Sequence, residues 1–157
     1  MDNESDYYKY LKTRSNLGLF YRMRWLYPRL DRLLNGKTLD IGCGIGDFLS
    51  FRKNTFGVDI NIDMVEWCNS NGYEAKLMEN NILPFNDSSY DSVIMDNVLE
   101  HIEDPAVLLK EVKRILVDDG VFLVGVPGSY GYSLDSDHKV FYSSSSLIKT
   151  LNIFGFK

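Results

Sequence analysis

The sequence predicts an α/β protein with a doubly wound, mainly parallel sheet. Three observations lead to this prediction. Short apolar runs with the length of buried strands alternate with longer stretches that have helical spacing. The first apolar run passes directly into a glycine-rich turn, and polar side chains follow the ends of the first four runs. The preference for right-handed crossovers then makes the sheet parallel.

The predicted elements follow one another as β-α-β-α-β-β-α-β. Strands are expected at residues 37–41, 55–60, 73–77, 92–95 and 121–126. Helices are expected at residues 46–53, 61–71, 104–117 and 144–151. Asn61 is a suitable N-cap for the second of these helices, and Pro105 is suited to the first helical position of the third.

The most informative segment is residues 38–46, Thr-Leu-Asp-Ile-Gly-Cys-Gly-Ile-Gly. Gly42, Gly44 and Gly46 remove every second Cβ, so a ligand can approach bare backbone and the chain can turn sharply into a helix. Asp59 ends the second predicted strand, where nucleotide-binding α/β proteins hold a ribose diol. This combination predicts a nucleotide-binding site.

The predicted strand ends carry acids and amides and neither lysine nor arginine. These residues are Asp40, Asp59, Glu79, Asn80, Asn81, Asp96 and Asn97. Ligands bind outside the carboxyl ends of parallel strands, so we expect a negative pocket that repels a pyrophosphate. It would attract a cation bearing ribose and adenine, such as S-adenosylmethionine. The spacing G-x-G-x-G also differs from the G-x-G-x-x-G of dinucleotide binders.

Several motifs resemble those of class I S-adenosylmethionine-dependent methyltransferases. Residues 39–46 resemble the first motif, 56–59 the second and 79–85 the third, while 90–94 and 98–105 resemble the block at the fourth strand. The likeness covers residues 37–127 and is to the small-molecule, ubiquinone/menaquinone-like branch, often called type 11. It implies a Rossmann-like sheet of strand order 3-2-1-4-5. The sixth and seventh strands of that family are expected to be missing or incomplete here.

The resemblance also implies roles for individual residues. Asp40 and the backbone of residues 42–46, including Cys43, would hold the methionine part of the cofactor, with Asp96 and Asn97 at the same end. Asp59 would bind the ribose hydroxyls. Ile60, Glu79 and Asn80 would surround the adenine. S-adenosylhomocysteine would be the product.

Catalysis is expected to follow from the cofactor, because its methyl group is already activated. In-line displacement needs a nucleophile aligned with the C–S bond in a site that excludes water. An oxygen nucleophile would also benefit from a general base. The two histidines, His138 and His101, are the candidates, although each is more often a structural hydrogen-bonding residue. His138 is preferred, because the resemblance implies that its loop faces the acceptor.

Composition limits the partners. The chain has 157 residues, a net charge of −5 and no basic block, so we expect no nucleic-acid partner. No long apolar run predicts a membrane segment. Cys43 and Cys68 form no metal or redox motif, so no metal site is predicted and reduced thiols in the cytoplasm are expected. A small-molecule acceptor is therefore predicted, although the atom that receives the methyl group is not encoded.

We expect one methyltransferase domain over residues 1–157 with three parts. Residues 1–36 would form an N-terminal helical lid or an amphipathic helix pair packed on the sheet. Residues 37–127 would form the cofactor-binding core, and 128–157 a substrate-side loop and helix. If the last strands are missing, the strand at 121–126 is exposed and self-association through that edge is expected.

Two other functions stay open from the sequence. One is a cofactor-binding protein with little or no catalysis, because a shortened C-terminus has lost part of the substrate wall. The other is an NAD(P)-dependent oxidoreductase, which would share the sheet and the acid at Asp59. Binding of S-adenosylhomocysteine without binding of NAD(H) would exclude the oxidoreductase.

Overall fold

The computed structural model describes residues 16–157, so the first fifteen residues of the predicted lid lie outside the described residues. The helices are α1 (Asn16–Tyr21), α2 (Tyr27–Asp31), α3 (Asp47–Phe51), α4 (Ile62–Ser70), α5 (Ala106–Ile115), α6 (Ser129–Ser133) and α7 (Ser144–Ile153). A π-helical turn, Arg22–Leu26, joins α1 to α2, and a 3₁₀ turn covers Leu99–His101. The strands are β1 (Thr38–Ile41), β2 (Thr55–Asp59), β3 (Ala75–Leu77), β4 (Tyr90–Asp96) and β5 (Leu116–Gly125).

The five strands form one parallel sheet in the order β3-β2-β1-β4-β5, which confirms the predicted fold class and strand order. β1 lies at the centre, with Ile41 opposite Val58 of β2 and opposite Met95 of β4. The carboxyl ends of β1, β2 and β4 therefore lie side by side. The chain order reverses between β1 and β4, which is where ligands bind in open α/β sheets.

β5 lies at the edge of the described sheet. Its register against β4 shifts between Leu116 and Val121, because Tyr90 pairs with Leu116 while Ser92 pairs with Val121. Asp118 and Asp119 in this offset are exposed, and Asp119 has a left-handed φ of 60°. Self-association through this edge stays a prediction.

The core is formed by the central strands and the helices packed on them. Leu39, Ile41, Val93 and Met95 are fully buried in β1 and β4. α5 adds four residues that are completely removed from solvent: Leu108, Leu109, Val112 and Ile115. Burial of such side chains contributes roughly 1.5–3 kcal/mol each, so this layer holds the strand ends in place.

Several element boundaries differ from the prediction by a few residues. The predicted helix at 104–117 begins at Ala106, because the backbone N–H of Ala106 donates a hydrogen bond to the carboxylate of Asp104 at 3.0 Å. Pro105 therefore lies just before the helix rather than at its first position. Asn61 caps α4 as predicted, since its side chain accepts from the N–H of Asp63. Within residues 16–157, the structure has no helix long and apolar enough to cross a bilayer.

Candidate active site

The glycine-rich turn leaves β1 and leads into α3. Gly42 and Gly46 have φ angles of 74° and 79°, a left-handed conformation that side chains other than glycine rarely adopt. The N–H groups of Gly42 and Cys43 both donate to the carbonyl of Val58, at 2.8 and 3.1 Å. These bonds fix the turn against the end of β2.

Asp59 is joined directly to this turn. Its Oδ2 accepts from the N–H of Gly44 at 2.8 Å, and its Oδ1 accepts from the N–H of Asn61 at 2.9 Å. Burial raises the pKa of Asp59, while these backbone donors act in the opposite direction. The carboxylate is thus oriented by the main chain on both sides.

A crevice opens at the carboxyl ends of β1 and β4. Its lining contains six of the residues predicted for the site: Asp40, Gly42, Cys43, Gly44, Asp96 and Asn97. Five further lining residues were not predicted for it: Arg22, Tyr27, Asp47, Phe48 and Ile94. The glycine turn and the two strand ends therefore meet at one cavity, as the topology requires.

Three carboxyl groups line the crevice, those of Asp40, Asp47 and Asp96. Burial raises the pKa of Asp40 well above its usual range, and the negative charges of Asp96 and Asp59 raise it further. Burial also raises the pKa of Asp96, whereas the nearby Arg22 lowers it. A cation between these carboxyl groups would favour their ionised forms.

Arg22 brings a positive charge that the strand ends lack. It begins the π-helical turn, a type of irregularity that is frequent at functional sites. Its Nη1 lies 3.7 Å from Oδ2 of Asp47, the first residue of α3. The helical segment is held there because Tyr27 packs edge-on against Phe48, with ring centroids 5.1 Å apart. No local sequence signal separates Arg22 from the other arginines of this segment.

The remaining predicted cofactor residues, Asp59 included, are not among the residues that line the crevice. Gly46 is buried beside Cys68 and Tyr73, and Ile60 is 65% exposed. Glu79 and Asn80 follow β3 and are exposed. The N–H of Met78, just before them, donates to the carbonyl of Asp59 at 2.8 Å, which holds this segment next to the end of β2. Their predicted roles toward ribose and adenine stay predictions.

The two histidines lie together at the 3₁₀ turn that follows β4. His101 and His138 have ring centroids 4.8 Å apart, and Nε2 of His138 lies 3.8 Å from Oε1 of the buried Glu100. Neither histidine is among the residues that line the crevice. The predicted base role of His138 or His101 therefore stays a prediction.

Cys43 and Cys68 are free, buried thiols. Cys68 Sγ donates to the carbonyl of Gly44 at 3.3 Å, and Cys43 lies against Gly57. The thiols therefore pack against the glycine turn and the end of β2.

Comparison with known proteins matches a family model described as "Methyltransferase domain", the type 11 group, to residues 39–124. The chain belongs to this methyltransferase family. The match covers the glycine turn, all five strands almost completely and the three acids that line the crevice, Asp40, Asp47 and Asp96. It confirms the predicted family and enzyme class, an S-adenosylmethionine-dependent methyltransferase.

Individual relatives agree at the level of the family. A crystal structure from Thermotoga maritima, described as a SAM-dependent methyltransferase and possible histamine N-methyltransferase, has a TM-score of 0.80 and 25% identity. The superposition covers 98% of this chain and 79% of the Thermotoga maritima chain. An uncharacterized protein of Methanocaldococcus jannaschii is 31% identical over 97% of this chain and 70% of itself. Two further proteins of that organism are matched over 44% and 37% of their own lengths.

Some relatives carry names that specify other acceptors. A protein of Bos taurus named Probable tRNA methyltransferase 9B is 29% identical over 78% of this chain, which spans 28% of that protein. The family is thus common to proteins with different stated acceptors. Membership alone does not identify the acceptor of this chain.

Proposed function

We propose that this protein transfers a methyl group from S-adenosylmethionine to a small-molecule acceptor by in-line displacement. The observation that carries the proposal is the crevice in which the carboxyl groups of Asp40 and Asp96 and the guanidinium of Arg22 flank the glycine turn. This arrangement of charges is complementary to an amino-acid group, which bears an ammonium and a carboxylate.

The donor set fits the cofactor better than it fits a dinucleotide. The ammonium and sulfonium groups would be attracted by Asp40 and Asp96, and the carboxylate by Arg22, which can form a two-pronged hydrogen bond. A pyrophosphate would be repelled by the same two carboxylates. This difference argues against the NAD(P)-dependent alternative.

The ribose end of the proposed site uses Asp59. Each carboxylate oxygen has two lone pairs, and one on each oxygen is used by the N–H groups of Gly44 and Asn61. The N–H of Ile60 is a third backbone donor to this carboxylate, and the lone pair that remains can accept from a ribose hydroxyl. The backbone bonds keep the carboxylate in one orientation, so little entropy is lost when the ribose binds.

When bound, the cofactor supplies a methyl group on a positively charged sulfur. The chain would contribute position and the exclusion of water. Tyr27 and Phe48, held by their ring contact, form an apolar wall beside the acids. Correct alignment of two reactants can supply about 7–11 kcal/mol of the barrier reduction.

Charge favours a small acceptor over RNA. A protein that binds RNA neutralises phosphates with lysine and arginine, whereas this chain has a net charge of −5 and acids at its crevice. The name of the Bos taurus relative favours tRNA as the second candidate acceptor. Incubation with labelled S-adenosylmethionine and either a panel of small amines, acids and phenols or bulk tRNA separates the two. Label only in the tRNA would contradict the proposed acceptor class.

Calorimetric titration tests the cofactor assignment. S-adenosylhomocysteine should bind and NADH should not. Arg22→Ala should weaken S-adenosylhomocysteine binding by about tenfold or more, because a charged hydrogen bond is lost, and leave methylthioadenosine, which lacks the amino-acid part, unaffected. Arg24→Ala is the matched control, since Arg24 is an exposed arginine of the same turn. Equal losses for both ligands would contradict the proposed orientation.

A further inference from the structure

Glu100 is a fully buried carboxyl group without a hydrogen-bond partner. The residue has 0% relative exposure, and neither Oε1 nor Oε2 has a hydrogen-bond partner in the described part of the chain. It lies in the 3₁₀ turn that follows β4, and its backbone carbonyl accepts from the N–H groups of Lys139 and Val140. A buried, unpartnered carboxyl group is costly, so its retention points to an additional ligand.

Both neighbouring histidines contact a backbone carbonyl through Nδ1. Nδ1 of His138 lies 2.8 Å from the carbonyl oxygen of Tyr132, and Nδ1 of His101 lies 3.3 Å from that of Asp137. A carbonyl only accepts, so in each neutral ring the proton must be on Nδ1. The lone pair of each Nε2 is then free. Metal-binding histidines are oriented by such a bond from their other nitrogen.

The three side chains bring their donor atoms together. One ligand atom from each of Glu100, His101 and His138 lies within 4.8 Å of the others. Nε2 of His138 is 3.8 Å from Oε1 of Glu100, which is too long for a hydrogen bond. Around a tetrahedral zinc ion, ligand atoms at about 2.0–2.2 Å from the metal lie about 3.4 Å apart. Metal binding would therefore require the widest of these separations to shorten by about 1.4 Å, whereas that between His138 and Glu100 would shorten by about 0.4 Å.

We propose that Glu100, His101 and His138 bind a divalent transition-metal ion of the Zn²⁺ type. Two imidazole nitrogens and one carboxylate oxygen suit zinc and its first-row neighbours, whereas magnesium prefers oxygen ligands. Asp135, whose Oδ2 lies 4.0 Å from the same Nε2 of His138, can supply a fourth ligand. The expectation of no metal considered only the cysteines, which are remote from this cluster.

The competing assignment is an ion pair between Glu100 and a protonated His138. That pair would leave Oε2 of Glu100 without a partner and would not explain the hydrogen bond between Nδ1 of His101 and the carbonyl of Asp137. It also predicts no metal binding. Metal binding does not depend on the proposed methyl transfer, so each proposal can fail without the other.

The test uses the full-length chain without a histidine tag, titrated with Zn²⁺ by calorimetry in competition with a chelator. The wild-type protein should bind one equivalent. Glu100→Gln and His138→Ala should each bind at least about 100-fold more weakly, because loss of an outer-shell partner alone costs ten- to a hundredfold. Glu103→Gln, an exposed glutamate in the same loop, is the matched control and should bind normally.

Spectroscopy keeps the test decisive if a variant does not fold. Co²⁺ in the wild-type protein should show d–d bands without a thiolate charge-transfer band. A thiolate band would assign the metal to Cys43 or Cys68 and overturn the proposal. So would failure of the wild-type protein to bind either ion, or unchanged zinc affinity in a folded Glu100→Gln variant. Thermal unfolding with and without Zn²⁺ identifies folded variants, because a ligand that binds only the native state raises its stability.

Discussion

The carboxylate of Asp59 accepts a hydrogen bond at 2.8 Å from the backbone N–H of Gly44, fifteen residues earlier in the chain. This bond joins the end of β2 to the middle of the glycine turn. It makes one side chain responsible both for the shape of the turn and for the proposed contact with ribose.

Replacement of Asp59 should therefore weaken all adenosine ligands. Asp59→Ala removes the acceptor of a ribose hydroxyl and leaves the Gly44 N–H unpaired, which corresponds to about 1.5–3 kcal/mol, or roughly ten- to a hundredfold in affinity. Calorimetry with S-adenosylhomocysteine and methylthioadenosine should show similar losses for both. Asp63→Ala, an exposed acid in the first turn of α4, should bind normally. Undiminished binding by Asp59→Ala would remove this residue from the site.

Because of Asp40, the protein should become less stable as the pH rises. Its affinity for S-adenosylhomocysteine should increase over the same range. The pKa of Asp40 is raised in the folded state, so the native chain holds this proton more tightly than the unfolded chain does. Stability therefore decreases as the pH rises from the unfolded pKa through the raised folded pKa. Ionised Asp40 is also the form that attracts an ammonium group, so affinity for S-adenosylhomocysteine should increase over the same range.

The Asp40→Asn variant separates these effects. It should be more stable than the wild-type protein above the raised pKa, yet bind S-adenosylhomocysteine about tenfold more weakly or worse. Urea unfolding between pH 5 and 8 should show a smaller pH slope, with Asp59 and Asp96 retaining part of it because burial raises their pKa values too. An unchanged slope would show that Asp40 does not titrate in this way.

Gly57 in β2 should not tolerate a side chain. A Cβ there would lie 2.6 Å from Sγ of Cys43, in the wall of the glycine turn. Overpacking of this kind costs about 1–3 kcal/mol, so Gly57→Ala should lower the free energy of unfolding in urea by that amount. Gly128→Ala is a suitable control, because nothing lies within 4 Å of its added Cβ. Equal stability of the two variants would contradict the packing described for the turn.

Replacement of Arg114 by lysine should lower the stability of the protein. Its guanidinium donates to both carboxylate oxygens of Glu111, to Asp87 and to the carbonyls of Leu83 and Phe85, at 2.7–3.0 Å. It thereby ties the loop after β3 to α5. Lysine cannot form this fork, so Arg114→Lys should be destabilised by about 1–3 kcal/mol in thermal or urea unfolding. Lys110→Arg, an exposed change on the same helix, should have no effect.

The parts of the molecule that depend on neighbouring residues could be predicted from the sequence. The alternation of apolar runs and helical stretches predicted the parallel sheet, because each strand and helix is encoded by residues close together in the chain. The strand order was implied by the resemblance of the motifs to the methyltransferase family. The glycine turn, Asp40 and Asp96 could be assigned to one site because carboxyl ends of parallel strands meet at one edge. The predicted ends of helices and strands were less accurate, since individual side chains such as Asp104 determine where a helix begins.

Only the tertiary structure decided which distant side chains meet. Arg22 reaches the crevice because Tyr27 packs on Phe48, and no pattern in residues 16–31 distinguishes it from neighbouring arginines. His101 and His138 lie far apart in the chain, but packing brings them together beside the buried Glu100. Local patterns encode strands, turns and caps, whereas the position of a side chain relative to a remote one depends on how the whole core packs.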